Sequence, residues 1–250
     1  MNPTIRPLLT QLDEIAEAIA QRPLTGNEYT ESVLNTTARL YRSAKSEISF
    51  ADEYFESAYH SPITGDLEFF LARVLYWYSK HNSHGWKIYL RRQMQKVAPD
   101  LRVEVGGKTI AVIEVKAKAG FQQCCYSPER FDYDLERFNS KKCSTDPREL
   151  VNRLRGQISK YIAAFDLKPE GIFLLMPSLV TVHRVKYKST LDDYYQYISN
   201  TTTLPKENLI ILSDSLRLNL SNAAPGKLMP NGNFERMIQT IASASSLAVE

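Results

Sequence analysis

The segment Thr109-Ile-Ala-Val-Ile-Glu-Val-Lys-Ala most limits what this chain can fold into. Its apolar residues predict a strand buried in a sheet, yet it carries Glu114 and Lys116 in its second half. Side chains alternate across a strand, so Glu114 and Lys116 share one face with Cα atoms about 7 Å apart, while Ile113 and Val115 point the other way into the core. A buried strand normally rejects a carboxylate and an ammonium, because an uncompensated buried charge is costly. The ordinary alternative is a strand edge bearing a solvated ion pair, which contributes little.

Upstream, Pro99-Asp100 opens a second strand at 101–105, and Gly106-Gly107 is a short hairpin signal between it and a strand at 109–118. A hairpin there sets the two strands side by side, so Asp100, Glu114 and Lys116 are expected on one face. Taken alone, Asp100 reads equally well as a turn residue after proline. A further strand at 86–94 precedes the hairpin, and a helix at 67–80 precedes that strand, introduced by the turn signals Ser61-Pro62 and Thr64-Gly65-Asp66. After the hairpin, Leu150, Leu154, Ile158, Tyr161 and Ile162 are spaced for one face of a helix at 147–165. Gly171-Ile-Phe-Leu-Leu-Met176 is then a buried strand closed by Pro177. The expected order is helix, three strands, helix, strand.

Three regions follow. Residues 1–65 read as a helical N-terminal extension, with Leu8, Leu9, Leu12, Ile15, Ala16 and Ile19 at helical steps and a second helix at about 27–44. Residues 66–180 form the core, interrupted at 119–146 by a polar, aromatic-containing insertion long enough to be a functional loop. Residues 181–250 read as a C-terminal extension packing on the core, with a strand at 209–212 and a last helix at about 233–248.

At 250 residues and 43% hydrophobic, the chain can bury a full core. Its longest apolar runs are strand-sized, which argues against a membrane span. The N-terminus lacks the basic start, apolar centre and small-residue cleavage site of a signal peptide, so a cytoplasmic location is expected. Cys124, Cys125 and Cys143 are an odd number in one segment with no histidine nearby in sequence, which speaks against both a disulfide framework and a zinc site. His60, His81, His84 and His183 show no metal-ligand spacing.

Pro99-Asp100 with Glu114-Val115-Lys116 resembles the signature of the PD-(D/E)xK nuclease superfamily, and the element order is similar to that family's common core. The likeness spans about residues 66–177. It implies an α/β, restriction endonuclease-like fold, an αβββαβ core whose central mixed sheet is flanked by helices. It also implies that Asp100 and Glu114 hold one or two divalent metal ions, that the Val115 main-chain carbonyl joins them, and that Lys116 assists the attacking water. Glu68 stands where many members carry an acidic residue on the first core helix, as a catalytic and metal-binding candidate, with Asp66 and Glu56 competing for that position. Gln157 and Tyr161, neighbours on one helix face, are similar to a Gln-x-x-x-Tyr motif of the exonuclease-like and RecB-like branch that lies beside the active site.

The implied cofactor is Mg2+, with Mn2+ as a substitute, because hard oxygen ligands suit a cation that keeps several waters and binds through one or two carboxylates plus substrate phosphate. The leading expectation is a metal-dependent deoxyribonuclease, an endonuclease of type II restriction or defence kind. A structure-specific nuclease of DNA repair or recombination, and a non-catalytic DNA-binding protein retaining the fold, are the alternatives. No Gly-x-x-x-x-Gly-Lys loop is present, so no nucleotide cofactor is expected in this chain. The expected partners are DNA and, by analogy with restriction-type members, a second copy in a symmetric dimer.

A formal net charge of +3 does not announce a nucleic-acid binder, although local basic groups could still attract phosphates. Lys118, Lys141, Lys142, Arg153, Lys186 and Lys188 are the candidates for DNA contact, with Arg148, Arg155 and Arg184 near them in sequence and Tyr187, Tyr194, Tyr195 and Tyr197 interleaved or following. Each group also fits a solvated helix face or strand edge. Arg91-Arg92 is ambiguous in the same way.

Overall fold

The computed structural model of the chain describes residues 5–48, 63–116, 147–177, 195, 199–200, 202–215, 220 and 225–247. Helices α1 (Ile5–Ala20) and α2 (Glu28–Ile48) are amphipathic, and α1 buries Leu12, Ala16 and Ile19 along one stripe. Helix α3 (Ile63–His81) carries Asp66 in its first turn and Lys80 in its last, charges that suit the two ends of its dipole.

The strands β1 (Lys87–Leu90), β2 (Leu101–Val105) and β3 (Lys108–Val115) follow, then helix α4 (Pro147–Phe165) and strands β4 (Ile172–Met176) and β5 (Leu209–Ile211). Helix α5 (Asn233–Leu247) comes last. The five strands form one sheet in sequence order. β1, β2 and β3 are antiparallel, whereas β3, β4 and β5 run parallel, so the sheet is mixed. Within it, α3, β1 to β3, α4 and β4 succeed one another as helix, three strands, helix, strand.

Local chemistry explains the hairpin. Val105 pairs with Lys108, leaving the two-residue turn Gly106-Gly107, whose φ angles of 57° and 84° glycine adopts without strain. The first strand is shorter than the expected 86–94. Its partner β2 begins at Leu101, opposite Leu90, and Arg91 leaves extended backbone with φ 46° while its N–H still donates to the Asp100 carbonyl at 3.0 Å. Beyond it, reciprocal Met94 and Val97 backbone bonds close a turn through Gln95 and Lys96, both at positive φ.

Alternation sorts the sheet's side chains into two layers. Ala111, Ile113, Val115, Phe173 and Leu175 join one core with residues of α1, α2, α3 and α5, including Ala16, Leu34, Phe70 and Phe234. Val112, Ile172, Leu174 and Met176 face the other way, against Leu154, Ile158, Tyr161 and Phe165 of α4. The N-terminal helices therefore share the core of α3 and the sheet, and β5 extends that sheet from the C-terminal region. No helix among the described residues is long and apolar enough to cross a membrane.

Two polar clamps fix the helical layer. Asp13 of α1 accepts from Arg73 Nη2 at 3.0 Å and from Trp77 Nε1 at 2.7 Å, both on α3. Burial opposes ionisation of Asp13, but the hydrogen bonds from Arg73 and Trp77 and the Arg73 charge outweigh it and hold the carboxyl below its ordinary range. Buried Glu235 of α5 accepts from the Thr30 N–H of α2 at 2.9 Å and from the Thr30 hydroxyl, while Phe234 N–H donates to Thr30 Oγ1 at 3.2 Å. Glu235→Ala leaves buried donors without an acceptor and is expected to lower stability in urea unfolding by about 1–3 kcal/mol. Glu235→Gln retains an acceptor and should lose much less. Equal losses for the two substitutions would contradict this account of the clamp.

Candidate active site

The open end of the β2–β3 hairpin carries the site. Leu101 pairs with Ile113, so one step further along the same register sets Asp100 across from Glu114. The ladder between the strands does not continue in the ordinary way there. Val115 N–H donates instead to Asp100 Oδ2 at 2.8 Å, the side chain substituting for a strand carbonyl. On the other side of β3, Lys116 N–H donates to the Leu175 carbonyl of β4 at 2.8 Å, which keeps the end of the strand in the sheet. Asp100 is thus fixed to the backbone between Glu114 and Lys116.

Glu114 lies on the α4 face of β3, in phase with Val112, and is buried. Its Oε1 accepts from the Lys116 ammonium. Its Oε2 accepts from the Tyr161 hydroxyl at 2.7 Å, and Tyr161 Oη in turn accepts from Gln157 Nε2 at 2.6 Å. The four-residue spacing on α4 has a structural consequence, because Gln157 orients the phenol that orients the carboxylate. Burial raises the Tyr161 phenol well above its ordinary pKa, and the Glu114 charge adds to that, so this hydroxyl remains a donor.

Glu68, near the start of α3, is the acidic residue on that helix that turns inward, with 1% of its side chain exposed. Arg91 grips it in a two-pronged pair, Nη2 donating to Oε1 at 2.6 Å and Nε donating to Oε2. Asp66 lies in the first turn of α3 and is half-buried, and Glu56 lies outside the described residues. Asp100, Glu114, Glu68, Arg91 and Lys116 form one electrostatic cluster. Burial is the largest influence on Asp100, followed by the negative charges of Glu114 and Glu68. The Val115 N–H and Lys116 oppose them only in part, and the carboxyl is pushed up to about 7. Arg91 is held protonated more firmly than usual, first by its hydrogen bonds to Glu68 and, against burial, by the charges of Glu68, Asp100 and Glu114.

Asp100, Glu114, Val115, Lys116, Gln157 and Tyr161 are therefore joined by direct hydrogen bonds, or adjacent in a strand so joined, and Glu68 adds its charge to the same cluster. Arg91 is the participant that the sequence left ambiguous. Its only sequence signal is its place beside Arg92 at the end of a short strand. Lys118, Lys141, Lys142, Lys186, Lys188 and the three cysteines lie outside the described residues, and Arg153 is described only as part of α4. His81 and His84 stack on Trp77 and Trp86 respectively. Among the described residues, no group of three or more Asp, Glu, His or Cys side chains is already arranged to hold a metal ion. Comparison with protein-family models, characterised proteins and solved structures gives no match.

The raised Asp100 pKa has a definite sign. A folded chain that keeps a proton the unfolded chain has released gains stability at low pH. That contribution is full below the ordinary carboxyl value of 3.8 and is lost as pH rises through about 7. Asp100→Asn keeps an acceptor for the Val115 N–H and removes the titration. In chelator, its melting temperature should exceed that of the natural chain above the folded pKa, and the advantage should vanish in acid. An advantage independent of pH would contradict the assigned cause.

Proposed function

We propose that this chain is a metal-dependent nuclease of the PD-(D/E)xK type that hydrolyses phosphodiester bonds in DNA. The observation that carries this reading is the Asp100 carboxylate seated on the Val115 N–H, with Glu114 and Lys116 flanking that residue at the end of β3. The succession of α3, β1 to β3, α4 and β4 around a mixed sheet is the arrangement expected for such a core.

The donor set fits magnesium. Asp100 and Glu114 offer hard oxygen atoms at one end of the sheet, and Mg2+ needs only one or two carboxylates, completing its shell with water and substrate phosphate. Glu68, whose charge acts on Asp100, and the Val115 carbonyl would be the further oxygen donors that the family resemblance implies. When bound, the ion would lower the pKa of a water and neutralise charge growing on the phosphate.

Each residue then has a distinct task. The Val115 N–H fixes the rotamer of Asp100, and Tyr161, oriented by Gln157, fixes that of Glu114. Lys116 brings an ammonium to the same cluster, where it can hold a water and stabilise developing negative charge. Its ion pair with Glu114 keeps it at hand in the resting chain. The core behind β3 supplies the rigid support that such positioning requires.

DNA as the substrate, a restriction or defence role and a symmetric dimer acting on two strands belong to the same proposal through the family resemblance. The purified chain should cut supercoiled, linear or single-stranded DNA with magnesium or manganese and not with EDTA. Lys116→Ala and Asp100→Ala should each slow cleavage by at least about a hundredfold. Cleavage that persists in EDTA, or that survives both substitutions, would overturn the reading. DNA binding without cleavage in either metal would favour a non-catalytic binding protein instead.

A further inference from the structure

We propose that Arg91 is a built-in counter-ion for Glu68, one that a divalent cation displaces and that metal entry frees to contact a substrate phosphate. The inference rests on the metal-dependent reading above. It deepens that reading by assigning a residue whose role the family signature leaves open.

The two partners are unequally held. Glu68 has 1% of its side chain exposed, whereas Arg91 has 55% exposed and reaches in from solvent. Glu68 is therefore the fixed member and Arg91 the movable one. The Arg91 backbone is tied to the residue that supplies the candidate metal ligand, since its N–H donates to the Asp100 carbonyl at 3.0 Å. A guanidinium leaving Glu68 thus stays at the mouth of the same site. Arg92 points elsewhere, its guanidinium 5.5 Å from the centre of the Tyr89 ring.

Charge balance explains why Arg91 is needed and why it can leave. Glu68 and Glu114 are buried and both act electrostatically on the half-buried Asp100, and Lys116 already pairs with Glu114. A carboxylate as buried as Glu68 requires a cation, because removing the partner of a buried ion leaves its desolvation unmatched. Arg91 meets that need by engaging both oxygens, the same atoms a hard divalent cation would take. Arg91 and the metal therefore compete for Glu68. Once released, the planar guanidinium is suited to a two-pronged grip on phosphate.

Calorimetric titration of the full chain with Mn2+ tests the competition. Arg91→Gln should bind Mn2+ about tenfold more tightly than the natural chain, equivalent to roughly 1.4 kcal/mol. Arg91→Lys, which keeps the charge without the fork, should tighten binding less. Glu68→Gln should weaken it, and adding Arg91→Gln to that variant should bring no gain. Arg91→Lys carries the comparison should Arg91→Gln fail to fold. Unchanged or weaker Mn2+ binding by Arg91→Gln, or by Arg91→Lys in that case, would overturn the proposal and mark the pair as a structural clamp. A natural chain that binds no Mn2+ at all would instead defeat the metal-dependent reading itself.

Binding of a short DNA duplex in Ca2+ tests the phosphate contact. Arg91→Gln should weaken it uniformly across sequences and reduce the salt-dependence slope by about one. An unchanged slope would remove phosphate contact from the role of Arg91.

Discussion

A single backbone donor organises the chemistry of this chain. The β2–β3 ladder reaches its last regular pair at Leu101 and Ile113, and the Val115 N–H would otherwise lie beyond its reach. Asp100 Oδ2 accepts a hydrogen bond from that N–H, so the side chain completes the sheet at the position that the strand register sets across from Glu114. The sheet's own accounting of hydrogen bonds thereby fixes an acidic group at a strand end, without a dedicated loop to hold it. The parallel pairing of β3 with β4, continued by the Lys116 N–H to the Leu175 carbonyl, keeps the same strand end from fraying.

That arrangement concentrates negative charge where the sheet is least able to solvate it. Burial first, then the charges of the buried Glu114 and Glu68, push Asp100 up to about 7. Lys116, Tyr161 and Arg91 each satisfy part of the cluster. A purely structural sheet would be better served by apolar residues at these positions, because replacing buried ion pairs by packed hydrophobic groups is often neutral or stabilising. The proposed divalent cation would give these carboxyl groups a role that packing alone does not.

Much of this could be read from the residues because the signals were local. The acid-x-Lys triplet inside an apolar run, the Gly106-Gly107 turn and the four-residue step from Gln157 to Tyr161 each obey a strand, turn or helix period. The structure joins Glu114, Lys116, Tyr161 and Gln157 in one hydrogen-bonded chain. What escaped the sequence was non-local. The end of β1 depends on where β2 begins, and the role of Arg91 depends on a carboxylate 23 positions away on α3. Choosing among Glu56, Asp66 and Glu68 required a helix phase that composition does not fix; of the two that are described, Asp66 and Glu68, burial singles out Glu68. The packing of α1 and α2 into the core of the sheet likewise rests on long-range contacts such as Asp13 with Arg73.

The central claim is that the strand end holding Asp100, Glu114 and Val115 is a site for a divalent cation. Anomalous diffraction from crystals soaked in Mn2+ measures this directly. A manganese peak is expected within bonding distance of the Asp100 and Glu114 carboxylates and the Val115 carbonyl, at the roughly 2.0–2.6 Å separations of hard-cation oxygen ligands. A peak bound only elsewhere on the chain, or no peak at a concentration of Mn2+ that supports cleavage, would contradict it.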